Sequence, residues 1–206
     1  MNQTLKLKEE GFLPPRIKFI IFAGLMIGIL FLSFQYYQHR EMKQSEVASN
    51  HYETLLSAIQ KKEMNTVKEK ADILIRDYSK TPYAPLALFT LSKIAIEENN
   101  FPLAISHLQD ALKLTGNKKG PLQHASRTRL AKVLVAEKKY DEALSLLENQ
   151  KAIEGYVTLY EELKGDIYLK QNQLDKAKIA FKLAKEAAPN GMPISRLELK
   201  LADLGN

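Results

Sequence analysis

Four histidines (His39, His51, His107 and His124) and three pairs of adjacent glutamates (Glu9-Glu10, Glu97-Glu98 and Glu161-Glu162) are the side chains here best suited to metal or acid–base chemistry. Their spacing argues against both. No two histidines stand four residues apart, and none lies in an HExxH setting, so no helix presents two imidazoles to one metal. Neighbouring glutamates on a helix diverge by about 100°, so neither carboxylate of a pair reaches the atom its partner reaches. The pattern predicts exposed helical histidines and glutamates on solvated faces. Cysteine is absent, which excludes disulfides, thiol nucleophiles and thiolate metal sites. There is also no glycine-rich phosphate loop and no GxSxG elbow. The chain is therefore expected to be no enzyme, with no cofactor, metal or small-molecule substrate.

Charge excludes another class. Thirty basic residues face 24 acidic ones over 206 positions, a net charge of +6. Outside the N-terminal tail the basic residues never reach the density of a nucleic-acid footprint.

The elements that position these residues begin with one apolar run. Phe19 to Tyr37 reads FIIFAGLMIGILFLSFQYY, with no charge from Phe19 to Phe34. As a helix, roughly 19 residues at ~1.5 Å each span about 28 Å, close to a bilayer's hydrocarbon thickness. Tyr36 and Tyr37 fall where an interfacial aromatic belt belongs. Gly24 and Gly28 form a small-xxx-small pair. The exit, Ser33 to Arg40, offers no small-residue pair for cleavage, so an uncleaved signal anchor is expected. Lys6, Lys8, Arg16 and Lys18 precede the run, against Arg40 and Lys43 after it. That bias puts the N-terminus in the cytoplasm and the remainder across the membrane. The expected segments are a cytoplasmic tail (1–18), an anchor (19–37) and a periplasmic domain (38–206).

Beyond the anchor the apolar residues recur at three and four, as on amphipathic helices. Asn100 is placed to cap a helix, and Pro102 to sit in its first turn. Gly165, Tyr168, Ala177, Phe181, Ala184 and Pro189 then fall at intervals of three, nine, four, three and five. These intervals resemble the tetratricopeptide (TPR) repeat. The small residue lets the second helix of the pair approach, and the aromatics fill the space between units. Ala143 lies 34 residues before Ala177, one TPR period, and Ala104 lies 39 before Ala143. A loop at Gly116–Pro121 absorbs the five extra residues. A degenerate first unit runs from Tyr52 to Ser79. Ile194, Leu197, Leu201 and Leu204 form a last stripe. The expected fold is all-α: one N-terminal transmembrane helix, then an α-solenoid of three to four helix pairs with a C-terminal capping helix.

With its anchor, Pro82-Tyr83-Ala84, Arg129-Leu130-Ala131 and the stretch Gly155 to Asp166 (GYVTLYEELKGD), the chain resembles the YfgM-type TPR proteins, ancillary subunits of the SecYEG translocon. The resemblance implies a non-enzymatic inner-membrane protein of the envelope. It implies partners in the translocon and in a PpiD-like periplasmic chaperone, and a role in handing over secreted or outer-membrane proteins. The tail departs from the family, with Gly11-Phe12-Leu13-Pro14-Pro15 where an aromatic-rich helical stretch is usual. A TPR module serving another inner-membrane complex, in cytochrome maturation, cell-wall assembly or stress-response regulation, is the alternative reading.

In a TPR stack the first helix of each pair lines the concave face. By that register Phe89, Lys93, Thr128, Lys132, Leu159, Glu162 and Asp166 look into a groove, with Tyr156 and Tyr160 near its last rung. Aromatics mixed with both charge signs suit an extended or helical peptide.

Overall fold

The computed structural model describes residues 15–116, 120–148 and 156–205. The readings placed on the tail before Pro15, on Asn117–Lys119 and on Gly155 lie outside them. Among the described residues all regular structure is helical. The helices are α1 (Pro15–Gln60), α2 (Met64–Asp77), α3 (Tyr83–Glu97), α4 (Phe101–Thr115), α5 (Pro121–Ala136), α6 (Tyr140–Leu147), α7 (Tyr156–Lys170), α8 (Leu174–Glu186) and α9 (Ser195–Asp203).

The chain divides into two compact units, Met1–Glu46 and Val47–Asn206. The described part of the first is α1 up to Glu46. Phe19, Ile20, Phe22, Leu25, Ile27 and Leu30 are exposed around its circumference. A helix apolar on every side requires an apolar surrounding, and this one is long and apolar enough to cross a membrane. Neither Gly24 nor Gly28 has another group within 4 Å of where a Cβ would stand.

The second unit is built from helix pairs: the end of α1 with α2, α3 with α4, α5 with α6, and α7 with α8. Each pair turns in the same way. Lys62, Asn99, Lys138 and Asn172 adopt φ of 60°, 58°, 60° and 58°. After each, a backbone N–H reaches five residues back around the turn: Glu63 to Ala58 (2.9 Å), Asn100 to Ala95 (2.7 Å), Lys139 to Leu134 (2.8 Å) and Gln173 to Tyr168 (2.9 Å). This is the Schellman ending, which satisfies the last carbonyls of the first helix with one left-handed residue. Asparagine tolerates that conformation, whereas lysine adopts it at a cost of about 1–2 kcal/mol. At the second turn the Asn100 side chain also accepts from the Leu103 N–H at 3.2 Å, with Pro102 beside it in the first turn of α4.

The turns fix a common register. Seven residues before each left-handed residue stand Leu55, Ser92, Ala131 and Gly165; five after it stand Val67, Ala104, Ala143 and Ala177; nine after it stand Ala71, Leu108, Leu147 and Phe181. All twelve are buried. They feed three apolar clusters, one under α1–α3, one running from α3 to α7, and one joining α7, α8 and α9. Each valine, leucine or phenylalanine fully buried here contributes about 1.5–3 kcal/mol.

First helices of successive pairs approach one another, α3 against α5 and α5 against α7. The second helices show no comparable approach among the described residues. The first helices therefore line the tighter side of the stack.

The register sets a volume limit in the last pair. A Cβ on Gly165 would stand 2.4 Å from the ring of Phe181, which is fully buried. Alanine gains helix propensity over glycine, but here it must displace a ring with nowhere to go. Gly165→Ala is expected to lower unfolding free energy by about 1–3 kcal/mol, read from urea denaturation, with partial recovery in the Gly165→Ala/Phe181→Leu double variant.

Candidate functional site

The residues expected to share one groove separate into three settings. Phe89 and Lys93 stand on α3 and line a recess of ≈ 410 Å³ with Leu56 and Ile59 of α1 and Arg129 of α5. The Arg129 guanidinium lies 4.3 Å above the centre of the Phe89 ring. Phe89 is buried there, while Lys93 and Arg129 are exposed.

Lys132, Leu159, Glu162 and Asp166 line a second, much smaller recess of ≈ 90 Å³, with Arg196 and Lys200 of α9. The acidic rungs are occupied by the chain itself. Arg196 donates to Glu162 at 2.6 Å, and Lys200 donates to Glu162 at 2.9 Å and to Asp166 at 2.6 Å. Glu162 is only 7 % exposed, which corrects the expectation of a solvated glutamate face. Burial alone would push its carboxyl up, but hydrogen bonds from Lys200 and Arg196 and their positive charge outweigh that and hold it below the ordinary value. Lys200 also lies 5.1 Å from the centre of the Phe181 ring, over its face. α9 adds an apolar contact through Leu197, buried with Phe181, Ala177 and Ala184.

Thr128, Tyr156 and Tyr160 belong to the third setting, a polar joint between α5 and α7. Thr128 is buried, its hydroxyl donating to the His124 carbonyl at 2.9 Å. His124 is 4 % exposed, not a surface histidine as its place in the sequence suggests. Its ring stacks on Tyr156, centroids 3.6 Å apart and planes 11° apart. Its Nδ1 shares a hydrogen bond with the buried Tyr160 hydroxyl. Burial, helped by the charge of Arg127, pushes the imidazole's pKa down; burial pushes the Tyr160 hydroxyl up. The Arg127 guanidinium spans to the Leu146 carbonyl at 2.8 Å, tying α5 to the end of α6. Sequence reasoning missed His124, Arg127 and Arg129. A histidine four residues from a threonine, on a helix whose apolar stripe is weak, gives no signal of a partner 36 residues away.

The repeat residues lie in the interior: Ala104, Ala143, Ala177, Phe181 and Ala184 are fully buried and Gly165 is buried beside Phe181. Tyr168 packs against the last cluster from a half-buried position. Pro189 follows α8 and accepts from the Met192 N–H at 3.0 Å, turning the chain toward α9. His39, His51 and His107 join no cluster that could hold a metal among the described residues.

A family model described as a tetratricopeptide repeat-like domain matches residues 17–206. The chain belongs to this family. Among curated relatives, a protein of Aggregatibacter actinomycetemcomitans named ancillary SecYEG translocon subunit is 32 % identical over 83 % of this chain and 82 % of its own. A protein of the same name from Haemophilus influenzae is 30 % identical over 91 % of this chain and 85 % of its own. Among solved structures, a putative kinesin light chain from Podosopora anserina with nearly identical TPR-like repeats has a TM-score of 0.54 at 14 % identity, over 80 % of this chain and 84 % of that one. That likeness speaks to the fold alone. Two of the three settings on the first-helix side are closed by the chain's own side chains.

Two measurements check the closed settings. Glu162→Gln removes the charge that holds Arg196 and Lys200, so amide exchange across α9 should accelerate several-fold while α3 and α4 stay unchanged. The second concerns pH. An imidazole whose folded pKa lies below its ordinary value of 6.5 contributes stability that is full above that pH and is lost as pH falls toward the folded value. The fall in melting temperature below about pH 6.5 should therefore be shallower in His124→Gln than in the parent.

Proposed function

We propose that the chain is a membrane-anchored, non-catalytic scaffold of the bacterial inner membrane that associates with the Sec translocon. The observations that carry this reading are the match of residues 17–206 to the repeat family and of most of the chain to relatives that bear the name ancillary SecYEG translocon subunit. The N-terminus lies in the cytoplasm, α1 crosses the bilayer from about Phe19 to Tyr37, and the helix pairs stand in the periplasm. Support for that orientation comes from the excess of lysine and arginine before the apolar run. Placed there, the stack receives segments of chains leaving the translocon and passes them to a PpiD-like chaperone. A repeat stack suits this task because its side chains form a continuous face without a preorganised reacting centre.

Two experiments test it. The chain contains no cysteine, so single-cysteine variants report topology without background. A membrane-impermeant maleimide applied to the periplasmic side should label Lys132→Cys and leave Lys6→Cys unlabelled until the membrane is permeabilised. The reverse pattern overturns the orientation. A photo-crosslinking residue at Leu56 or Lys93, both exposed, should capture the translocon channel subunit or a periplasmic chaperone in membranes; self-adducts alone would reject the scaffold.

A further inference from the structure

The first-helix face is divided by charge. Its acidic rungs, Glu162 and Asp166, are neutralised by Arg196 and Lys200 of α9. Of its remaining cations, Lys93 pairs with Glu97 at 3.7 Å, both exposed, and Glu97 lines the same recess. Neither Arg129 nor Lys132 has a carboxylate partner among the described residues. By filling the acidic rungs, α9 leaves Arg129 as the unpaired charge of the open recess.

That half contains the recess between α1, α3 and α5. Leu56, 41 % exposed, and Ile59 stand on one side and Phe89 on the other. The Arg129 guanidinium is held over the Phe89 ring. That contact uses no N–H hydrogen bond, so the guanidinium keeps donors for paired hydrogen bonds with a carboxylate. A larger recess of ≈ 860 Å³ between α4, α5 and α6 lacks this property: Lys113 there is paired with Asp110 at 2.9 Å and Arg127 is spent on the Leu146 carbonyl.

We infer that the α1–α3–α5 recess docks an extended acidic and apolar segment of a partner polypeptide. An aliphatic or aromatic side chain enters beside Leu56 and Phe89, and a neighbouring aspartate or glutamate carboxylate takes the free edge of Arg129. Lys132, exposed one turn along α5 from Arg129, extends the positive surface. Two unpaired cations one turn apart fit a run of side-chain carboxylates better than one terminal carboxylate. The inference deepens the scaffold reading by naming the chemistry of the segments the stack receives, and it rests on that reading for the source of the partner.

The chain has no tryptophan, so one tryptophan in a synthetic peptide reports binding by its own fluorescence. The probes are end-capped peptides of leucine and one tryptophan alternating with glutamate, the same peptide with lysine for glutamate, and a glutamine version with a free C-terminal carboxylate, titrated into the full chain in detergent micelles. The glutamate peptide should bind with a blue-shifted emission that weakens as salt is added. Arg129→Glu should weaken it by roughly tenfold to a hundredfold, and Leu56→Asp should do so through the apolar side of the recess. Both residues are exposed, and an unchanged melting temperature confirms that the variants fold. Equal binding of the lysine peptide, equal binding of the glutamine peptide with its free carboxylate, undiminished binding by Arg129→Glu, or no binding by any peptide overturns the inference. Co-purification with the translocon from membranes is read separately. Its loss with peptide binding intact rejects the translocon reading and leaves the recess, and the converse rejects the recess alone.

Discussion

The second unit depends on one spatial constraint: at the closest approach of each helix pair, the two facing residues must share a nearly fixed volume. Position by position the chain meets it differently. In the register set by the four left-handed turn residues, the positions at which Gly165 meets Phe181 in the last pair are held by Leu55 and Ala71, Ser92 and Leu108, and Ala131 and Leu147 in the other three. The bulk migrates from first helix to second along the stack while the sum changes little. Interiors packed like organic crystals tolerate such exchanges when volume is conserved, and tolerate little else. The last pair is the extreme case, with no side chain on one helix and a whole ring on the other.

Once the pairs are so packed, the first helices lie side by side, and what they present is decided by which side chains are already engaged. The α5–α7 joint takes His124, Tyr156 and Tyr160 out of contact with a partner by stacking and hydrogen bonding. α9 takes Glu162 and Asp166 by ion pairing. The recess beside Phe89 keeps an unpaired guanidinium. The surface is thus the remainder after internal demands are met, with Arg129 left unpaired while α9 engages Glu162 and Asp166.

Much of the fold was legible because it rests on short-range pattern. The apolar run of α1, the three-and-four spacing, the interval between Ala143 and Ala177, and the cap at Asn100 are all local. The turn motif was half legible: Asn99 and Asn172 are residues that accept a left-handed backbone, but Lys62 and Lys138 are not, and only the tertiary register holds them there. The site was less legible for a physical reason. Whether Glu162 faces water or two cations depends on α9, which returns from 34 and 38 residues away, and His124 finds Tyr160 across 36. Helical periodicity assigns a residue to a face; it carries no information on what later folds over that face.

The seal made by α9 has a further bearing on assembly. A helix stack has two ends, and each unsealed end is an apolar rung of the same kind that every internal pair already satisfies. Beyond α8 that rung consists of Phe181, Ala177 and Ala184, and Leu197 covers it. A second copy adding head to tail at this point would have to expel Leu197 and break the Arg196 and Lys200 pairs before gaining any contact. The C-terminal end is thereby closed to head-to-tail growth of a filament.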